Sequence, residues 1–442
     1  MAGSSSLYPI STRQSRIAEL ARQMPGAGLS TLSHHMDLAW LREAYRRTRR
    51  DGAPGVDGQT AADYEVDLDT KLKALLGQAK SGTYRAPPVR RVHIPKGDGK
   101  TRPIGIPTYE DKVLQRAVLM LLEPIYEEDF YDFSYGFRPG RSAHDALEAL
   151  GNATWGMRGG WVLEADIRSF FDTLDHEKLR DLLHHRVTDG VIGRLIGKWL
   201  NAGVLEGGVV TRAAEGTPQG GVISPILANI FLHEVVDAWW VRDVLPRMRG
   251  RAHLFRYADD FVMVFEEEGD SRRVHKALPQ RMQWFGLTLH PEKTRLVPFL
   301  APSRNGSGSR PGSFDFLGFT HYWGKARRGF AVPKRKTASS RFSRGIKAIG
   351  RWLKVNRHKP VAEQARVLRS KLTGHMNYFG IIGNWEAISR FAYKVRRLWK
   401  KWLDRRSQRG RMTWETFNRL FVRYPLPPPK LAPKWRRQPA KP

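Results

Sequence analysis

The chain is 442 residues long, 41% hydrophobic, and carries 75 Lys+Arg against 43 Asp+Glu for a formal net charge of +32. That length gives room for two or three domains with a sizeable core, and no apolar run approaches transmembrane length. The absence of cysteine excludes disulfides, thiolate zinc sites and cysteine nucleophiles, and the first 35 residues lack the apolar stretch of a secretory signal, so an intracellular protein is expected.

In chain order, residues 12–23 and 36–50 read as short helices separated by a Gly/Ser/Pro-containing loop at 24–35. Asp51–Gly58 is a compact turn cluster, and a helical segment follows to about Ala79. Val89–Ile94 alternates apolar and basic residues, turns at Lys96–Lys100 and continues through Arg102–Ile106, the pattern of a β-hairpin. Residues 110–128 carry Val113, Val118, Leu121 and Leu122 at helical spacing. Trp161–Asp166 reads as a buried strand, and Asp175 stands where it can cap a helix over 176–186. Ser224 followed by Pro225 predicts a helix start, with the helix running from Ile226 to about Trp240. Beyond an Asp-Asp hairpin come a helix at 271–285, strands near 287–299, a loop at 303–313 and one short apolar strand, Phe314–Phe319.

From about residue 338 the period is helical throughout. Three amphipathic helices are predicted, the third entered through Gly383-Asn384, where Asn can cap. The stretch Pro425–Pro433 is expected to end the ordered part, and there is no internal repeat. Residues 321–442 hold 33 Lys+Arg and only four acids, Glu363, Glu386, Asp404 and Glu415, so this last part carries nearly all of the excess charge. Interleaved with it are seven tryptophans, which need either a core or stacked bases. A polyanion partner is the expected consequence, since basic side chains that neutralise phosphates release counterions.

The residues fit for chemistry are few. Tyr257-Ala258-Asp259-Asp260 joins two apolar strands, and neighbouring carboxylates repel unless a cation shares their site. By itself an Asp-Asp turn says little, because Asp is common in turns. Asp166, at the end of another apolar strand, is a third carboxylate; beside the first two it would allow two Mg²⁺ ions to clamp an in-line phosphoryl displacement. Phe171, five residues on, would lie where a nucleotide sugar sits and leave no space for a 2′-hydroxyl; taken alone, a Phe is more often a core aromatic. Gly216–Gly221 is a turn whose glycines allow close approach of the backbone to flat groups, with Gln219 able to donate and accept. Lys96 and Arg102 flank a hairpin that could fold over a triphosphate.

Together these stretches resemble a group II intron-encoded reverse transcriptase and maturase, of the branch without an endonuclease domain. The resemblance runs through Ile94–Lys96 and Arg102–Pro107, Ser134–Ser142, Asp166–Asp172, Gly216–Ala228, Tyr257–Asp260, Gly286–Thr294 and Phe316–Phe319, and covers roughly residues 36–425. It implies an α+β right-hand polymerase with fingers and palm built on antiparallel sheet, followed by an all-α helical-bundle thumb that doubles as a maturase domain. The boundaries implied are 1–80 for an N-terminal extension, 81–335 for fingers and palm, 336–425 for the thumb and 426–442 for a Pro-rich basic tail. The extension, including the 24–35 loop, resembles the family's template-contacting segment. The resemblance assigns Asp166, Asp259 and Asp260 to two Mg²⁺ ions, which Mn²⁺ can replace, with the Ile167 carbonyl assisting. It places Lys96 and Arg102 on the triphosphate, Phe171 at the sugar, Gln219 beside the nascent pair, and Arg138 and Lys293 on nucleic acid.

The partners implied are an RNA template, a DNA primer, a dNTP and structured group II intron RNA, in the bacterial cytoplasm, with a homodimer left open and no membrane. Three other readings remain. A free-standing reverse transcriptase in DNA repair or phage defence shares every motif. A non-catalytic RNA-binding splicing factor should have lost one of the three Asp residues. An RNA-dependent RNA polymerase is disfavoured by the bulk of Phe171.

Overall fold

The computed structural model describes residues 9–95, 101–206, 209–211, 220–302, 311–406 and 412–431. The chain divides into two compact units: Met1–Ala146 with Ala165–Leu296, and Leu147–Glu164 with Val297–Pro442.

In the first unit, α1 (Ile10–Gln23) and α2 (Leu38–Arg47) pack on α5 (Tyr109–Asp129). The last of these is buried nearly all round, Val113, Leu114, Ala117, Val118, Leu121, Leu122 and Ile125 included, as befits a helix enclosed by others. Asp37 caps α2 by accepting from the Trp40 N–H at 2.8 Å, so the helix predicted from residue 36 starts at Leu38. The helical segment expected up to Ala79 is broken in two, α3 (Ala61–Glu65) and α4 (Leu68–Ser81), because Asp67 between them takes a left-handed backbone at φ 58°. The hairpin of β1 (Val89–Pro95) and β2 (Thr101–Ile106) pairs Ile94 with Arg102. It joins β4 (Val204–Glu206) and β5 (Val209–Thr211) in the order β2-β1-β4-β5, with β1 and β4 parallel.

α6 (Ala143–Gly156) runs across the boundary between the units. The second sheet takes the order β6-β7-β3-β8, from β3 (Trp161–Asp166), β6 (Ala252–Tyr257), β7 (Asp260–Phe265) and β8 (Arg295–Pro298); β3 and β8 are the strands along which the chain passes from one unit to the other. α7 (His176–Arg186) is capped by Asp175 as expected, and α8 (Gly190–Leu200) follows. α9 (Ser224–Leu232) takes Ser224 as its first residue with Ile223 in the capping position, one residue earlier than predicted, and it widens into π-helical turns over 233–238 and 240–244. α10 (Glu268–Trp284) completes this unit.

The second unit holds a three-stranded antiparallel sheet and a helical bundle. The single strand predicted over Phe314–Phe319 is a tight hairpin: Leu317 and Gly318 take φ 49° and 80°, dividing β9 (Phe314–Phe316) from β10 (Phe319–Lys325), which pairs with β11 (Ala331–Thr337). Among the described residues the bundle has four helices instead of three: α11 (Ser339–Val355), α12 (Val361–Phe379), α13 (Trp385–Asp404) and α14 (Trp414–Arg423). Leu353, Leu368, Leu372, Ile388, Val395, Trp399 and Phe417 form its core. Leu426 lies in that core too, so the proline-rich stretch begins as part of the packed unit. Asn384 precedes α13 but does not cap it; its amide instead binds the Thr337 N–H and hydroxyl at the end of β11, at 2.9 and 2.8 Å. Among the described residues no helix is long and apolar enough to cross a membrane.

Candidate functional site

The β6–β7 hairpin closes through a loop of two residues, since Tyr257 pairs directly with Asp260 and leaves only Ala258 and Asp259 between the strands. Ala258 sits at φ 56°, a left-handed conformation that costs an L-residue with a Cβ roughly 1–2 kcal/mol. The loop holds Asp259 half-buried, and burial pushes its carboxyl above the ordinary aspartate range. The negative charge of Asp166 pushes the same way, while a hydrogen bond from its own backbone N–H and the positive charges of Arg102 and Arg256 oppose it. Asp166, Arg102 and Asp259 therefore share one electrostatic neighbourhood.

Asp166 ends β3 on the strand's exposed tip. Its carbonyl accepts from the His290 N–H at 2.7 Å and Arg168 donates to the Thr288 carbonyl at 2.8 Å, clamping the turn on both sides of Ile167. In that antiparallel bridge the bonds are made by the flanking residues, so the Ile167 carbonyl is directed away from Leu289. One carboxylate oxygen of Asp166 accepts from the Lys293 ammonium at 2.9 Å, both groups being well exposed. Asp260 opens β7 opposite Tyr257. Among the described residues, no three His, Asp or Glu side chains are already gathered as a metal cage. The donors on hand are nonetheless all carboxylate and carbonyl oxygens, which suit a hard divalent cation, and such a charge would favour the ionised form of the Asp259 carboxyl that burial disfavours.

Phe171 lies in the single 3₁₀ turn Phe170–Asp172, reached through Ser169 at φ 49°. Phe170 is buried against Phe231, and Phe171 stands half-buried edge-on to it at 5.2 Å. Arg102 is exposed on β2. Lys96 and Gln219 lie outside the described residues. The residue after Gln219 is informative, however: Gly220 has φ 119°, and a Cβ there would meet the Gly105 carbonyl oxygen at 2.5 Å. Gly220 thus rests on β2 backbone to backbone, and Gln115 of α5 holds the chain beyond it by accepting from the Val222 N–H at 2.8 Å.

Arg138 is placed differently from the expectation. It is buried, and its guanidinium is taken up by the Glu127 carboxylate at 3.0 Å and the Tyr131 and Ser134 carbonyls at 2.7 and 2.9 Å. Those partners make it a brace for the 130–138 segment. Sequence reasoning passed over Arg256, which lies entirely buried beneath the Ala258–Asp259 loop, and Gly136, whose missing side chain lets that segment touch the loop. The available signal was a charged residue set directly between the apolar pair Leu254-Phe255 and the Tyr257–Asp260 turn.

In the second unit, α13 splits its surfaces cleanly. Ile388, Phe391, Val395, Trp399 and Leu403 face the core. Arg390, Lys394, Arg397, Lys401 and Arg405, three or four residues apart, form an exposed basic stripe on the opposite face. Tyr393 beside it is 59% exposed. Of the tryptophans, Trp399 belongs to the core and donates to the Gln364 side chain at 3.0 Å, whereas Trp385 and Trp414 are about half exposed, at 52% and 48%. Trp435 lies outside the described residues.

Residues 94–321, just over half of the chain, match the family model described as reverse transcriptase (RNA-dependent DNA polymerase). The chain is 38% identical to Protein YkfC of Escherichia coli (strain K12) over 287 residues, covering 58% of this chain and 75% of that one. It is 46% identical over 168 residues to the Group II intron-encoded protein LtrA of Lactococcus lactis subsp. cremoris, 38% of this chain and 28% of that one. It is 26% identical over 403 residues to an uncharacterized 91 kDa protein in the cob intron of Schizosaccharomyces pombe, 77% of this chain and 49% of that one. The chain therefore spans less than half the length of the last two relatives.

Proposed function

The chain belongs to the reverse transcriptase family, and from that premise we propose that it copies RNA into DNA at the site formed by Asp166, Asp259 and Asp260. The observation that carries this reading is the two-residue loop that holds Asp259 half-buried within the electrostatic reach of Asp166 and Arg102. In the reaction the primer 3′-hydroxyl attacks the α-phosphorus of a dNTP and pyrophosphate leaves. The three carboxylates, with the Ile167 carbonyl, would hold two Mg²⁺ ions (or Mn²⁺), which when bound stabilise charge on the attacking and leaving oxygens. Arg102 and Lys96 bind the triphosphate, Arg102 as a planar fork and Lys96 as a point charge. The ring of Phe171 occupies the space a 2′-hydroxyl would need, and Gln219 meets the nascent pair. Lys293 is near enough to the site to exchange its bond to Asp166 for one to a nucleic-acid phosphate. The domains are assigned as 81–335 for fingers and palm and 336–425 for the thumb. Catalysis on this account is positioning and electrostatic stabilisation.

Asp259→Ala in the full chain tests the reading. Extension of a DNA primer on an RNA template falls by at least about 10²-fold, while binding of structured RNA persists. Unchanged synthesis would end the assignment.

The basic stripe of α13 supports a second role. A row of cations on a helix with an apolar opposite face grips a phosphate backbone by shape, as A-form grooves offer side chains little sequence to read. We propose that this surface binds a folded group II intron RNA and aids its splicing, the role implied for a chain similar to a group II intron-encoded protein.

A further inference from the structure

We propose that Arg256 is a positioning residue for the polymerase site, its guanidinium gripping the Ala258 carbonyl and so fixing the loop that presents Asp259; this rests on the reading given under Proposed function. Arg256 lies on β6 one residue before Tyr257 and is wholly buried. A guanidinium has five N–H donors in a rigid fork, and here every one has an acceptor. The Nε donates to Asp237 at 2.7 Å, and one Nη2 hydrogen goes to the same carboxylate. The other Nη2 hydrogen reaches the Ser134 hydroxyl at 2.7 Å. The Nη1 donates to the Asn229 side-chain oxygen at 3.0 Å and to the Ala258 carbonyl at 3.2 Å.

Each partner is itself placed by the fold. Asp237 is as fully buried as Arg256 and lies in the π-helical stretch 233–238, a widened turn of a kind frequent at functional sites. Asn229 of α9 accepts from Arg256 and donates its amide to the Gly136 carbonyl at 2.7 Å. The segment carrying Ser134 and Gly136 runs beside the end of β6: Arg256 donates its backbone N–H to the Phe133 carbonyl at 2.9 Å and accepts from the Tyr135 N–H at 2.8 Å. Gly136 then passes so close beneath the loop that a Cβ on it would stand 2.3 Å from the Ala258 nitrogen.

The loop therefore has a floor of glycine backbone and the Arg256 side chain bonded from below. Ala258 holds an unfavourable φ of 56°, and a conformation of that kind persists only where its surroundings over-determine it. A buried ion pair alone is weak evidence of a stabilising role, since burying two charges is costly. The geometry here points to another use: Asp237 orients the fork so that one remaining arm meets a main-chain carbonyl one residue from a candidate metal ligand. Lysine has three donors on a flexible stem and could keep the pair with Asp237 only by giving up the rest.

The test uses the full chain on a primed RNA template, with steady-state kinetics measured against dNTP and against MgCl₂, and with melting temperatures recorded. Arg256→Lys, Asn229→Ala and Gly136→Ala are compared with wild type, and Ile192→Ala is the control. Ile192 is a buried core residue of α8, a helix that holds none of the site residues. Below the melting temperature of every variant, the three loop variants lose about 10²-fold in kcat, the scale of a 1 Å misplacement. Their KM for dNTP stays within about twofold, as expected when a transition-state interaction alone is lost. They also need more Mg²⁺ for half-maximal rate, while Ile192→Ala melts earlier with kcat and Mg²⁺ demand unchanged. If Arg256→Lys does not fold, Asn229→Ala decides, because it leaves the ion pair intact. An active wild type whose folded loop variants match it in kcat and Mg²⁺ demand overturns this inference alone. A wild type that makes no DNA overturns the polymerase reading and this inference with it.

Discussion

At the scale of single residues, the site depends on how a few side chains are held at chain reversals. Phe171 owes its position to Ser169, whose left-handed φ of 49° turns the chain at the end of β3, and to buried Phe170, which supports it edge-on. If its ring excludes the 2′-hydroxyl, Phe171→Ala raises incorporation of ribonucleotides relative to deoxyribonucleotides by at least about tenfold, since a lost steric contact of this size is worth ~1–3 kcal/mol. Incorporation ratios on one RNA template check this, and an unchanged ratio would return Phe171 to the ordinary core. The three carboxylates stood out in the sequence only in combination, because an Asp in a turn or at a strand end is common by itself. The bracing role of Arg138 was not legible, because an arginine in a loop motif reads the same whether its partner is a phosphate or Glu127; only the fold brings Glu127 and the Ser134 carbonyl to it.

At the scale of elements, the pattern located most of the long helices and the β1–β2 and β6–β7 hairpins, and failed where the deciding contact is distant or local geometry overrides pattern. Phe314–Phe319 is apolar throughout, yet the left-handed pair Leu317-Gly318 folds it back on itself. Asn384 has the right type and place for a cap, but the Thr337 N–H and hydroxyl compete for its side chain and win. α6, α8 and α14 are short or mixed in pattern and draw their burial from neighbours that the sequence does not reveal. β10 also carries a titration with a consequence for stability. His321 is buried and stacked on Phe314 at 4.7 Å, and burial, aided by the charge of Arg335, lowers its pKa to about 3. Between its ordinary value of 6.5 and about 3, the unfolded chain takes up a proton that the folded chain refuses. Stability is therefore fully present above the ordinary histidine value and falls as the pH drops through that window, by on the order of 1–2 kcal/mol at pH 5. Denaturant unfolding of the wild type and of His321→Phe at pH 7 and pH 5 measures the difference; a slope that the substitution leaves unchanged would place the titration elsewhere.

At the scale of the whole molecule, the chain separates chemistry from charge. The carboxylates all lie in the first unit, while the excess of basic residues is concentrated in the last 122 residues of the sequence. The sequence showed this division, but composition could not show which of those cations are spent on the protein's own structure. Arg369 donates to the Pro425 carbonyl at 2.7 Å and Lys400 to the Met412 carbonyl at 2.6 Å, so both are anchored within the bundle. Lys394, Arg397 and Lys401 stand exposed on one face of α13, opposite the core residues Val395 and Trp399, each over an aromatic ring (Phe342, Tyr393 and Trp402) with no carbonyl or carboxylate holding it among the described residues. If that face tracks a phosphate backbone, replacing those three with Gln weakens RNA binding and lowers the slope of log affinity against log salt by about two to three units, each phosphate contact contributing ~0.7–0.9. Because the substitutions leave the carboxylates and the buried face of α13 untouched, kcat at saturating primed template stays at the wild-type level. Filter binding across a salt series together with primer extension separates the two effects. Loss of kcat with an unaltered slope would mean that the stripe serves the reaction and not the grip on RNA.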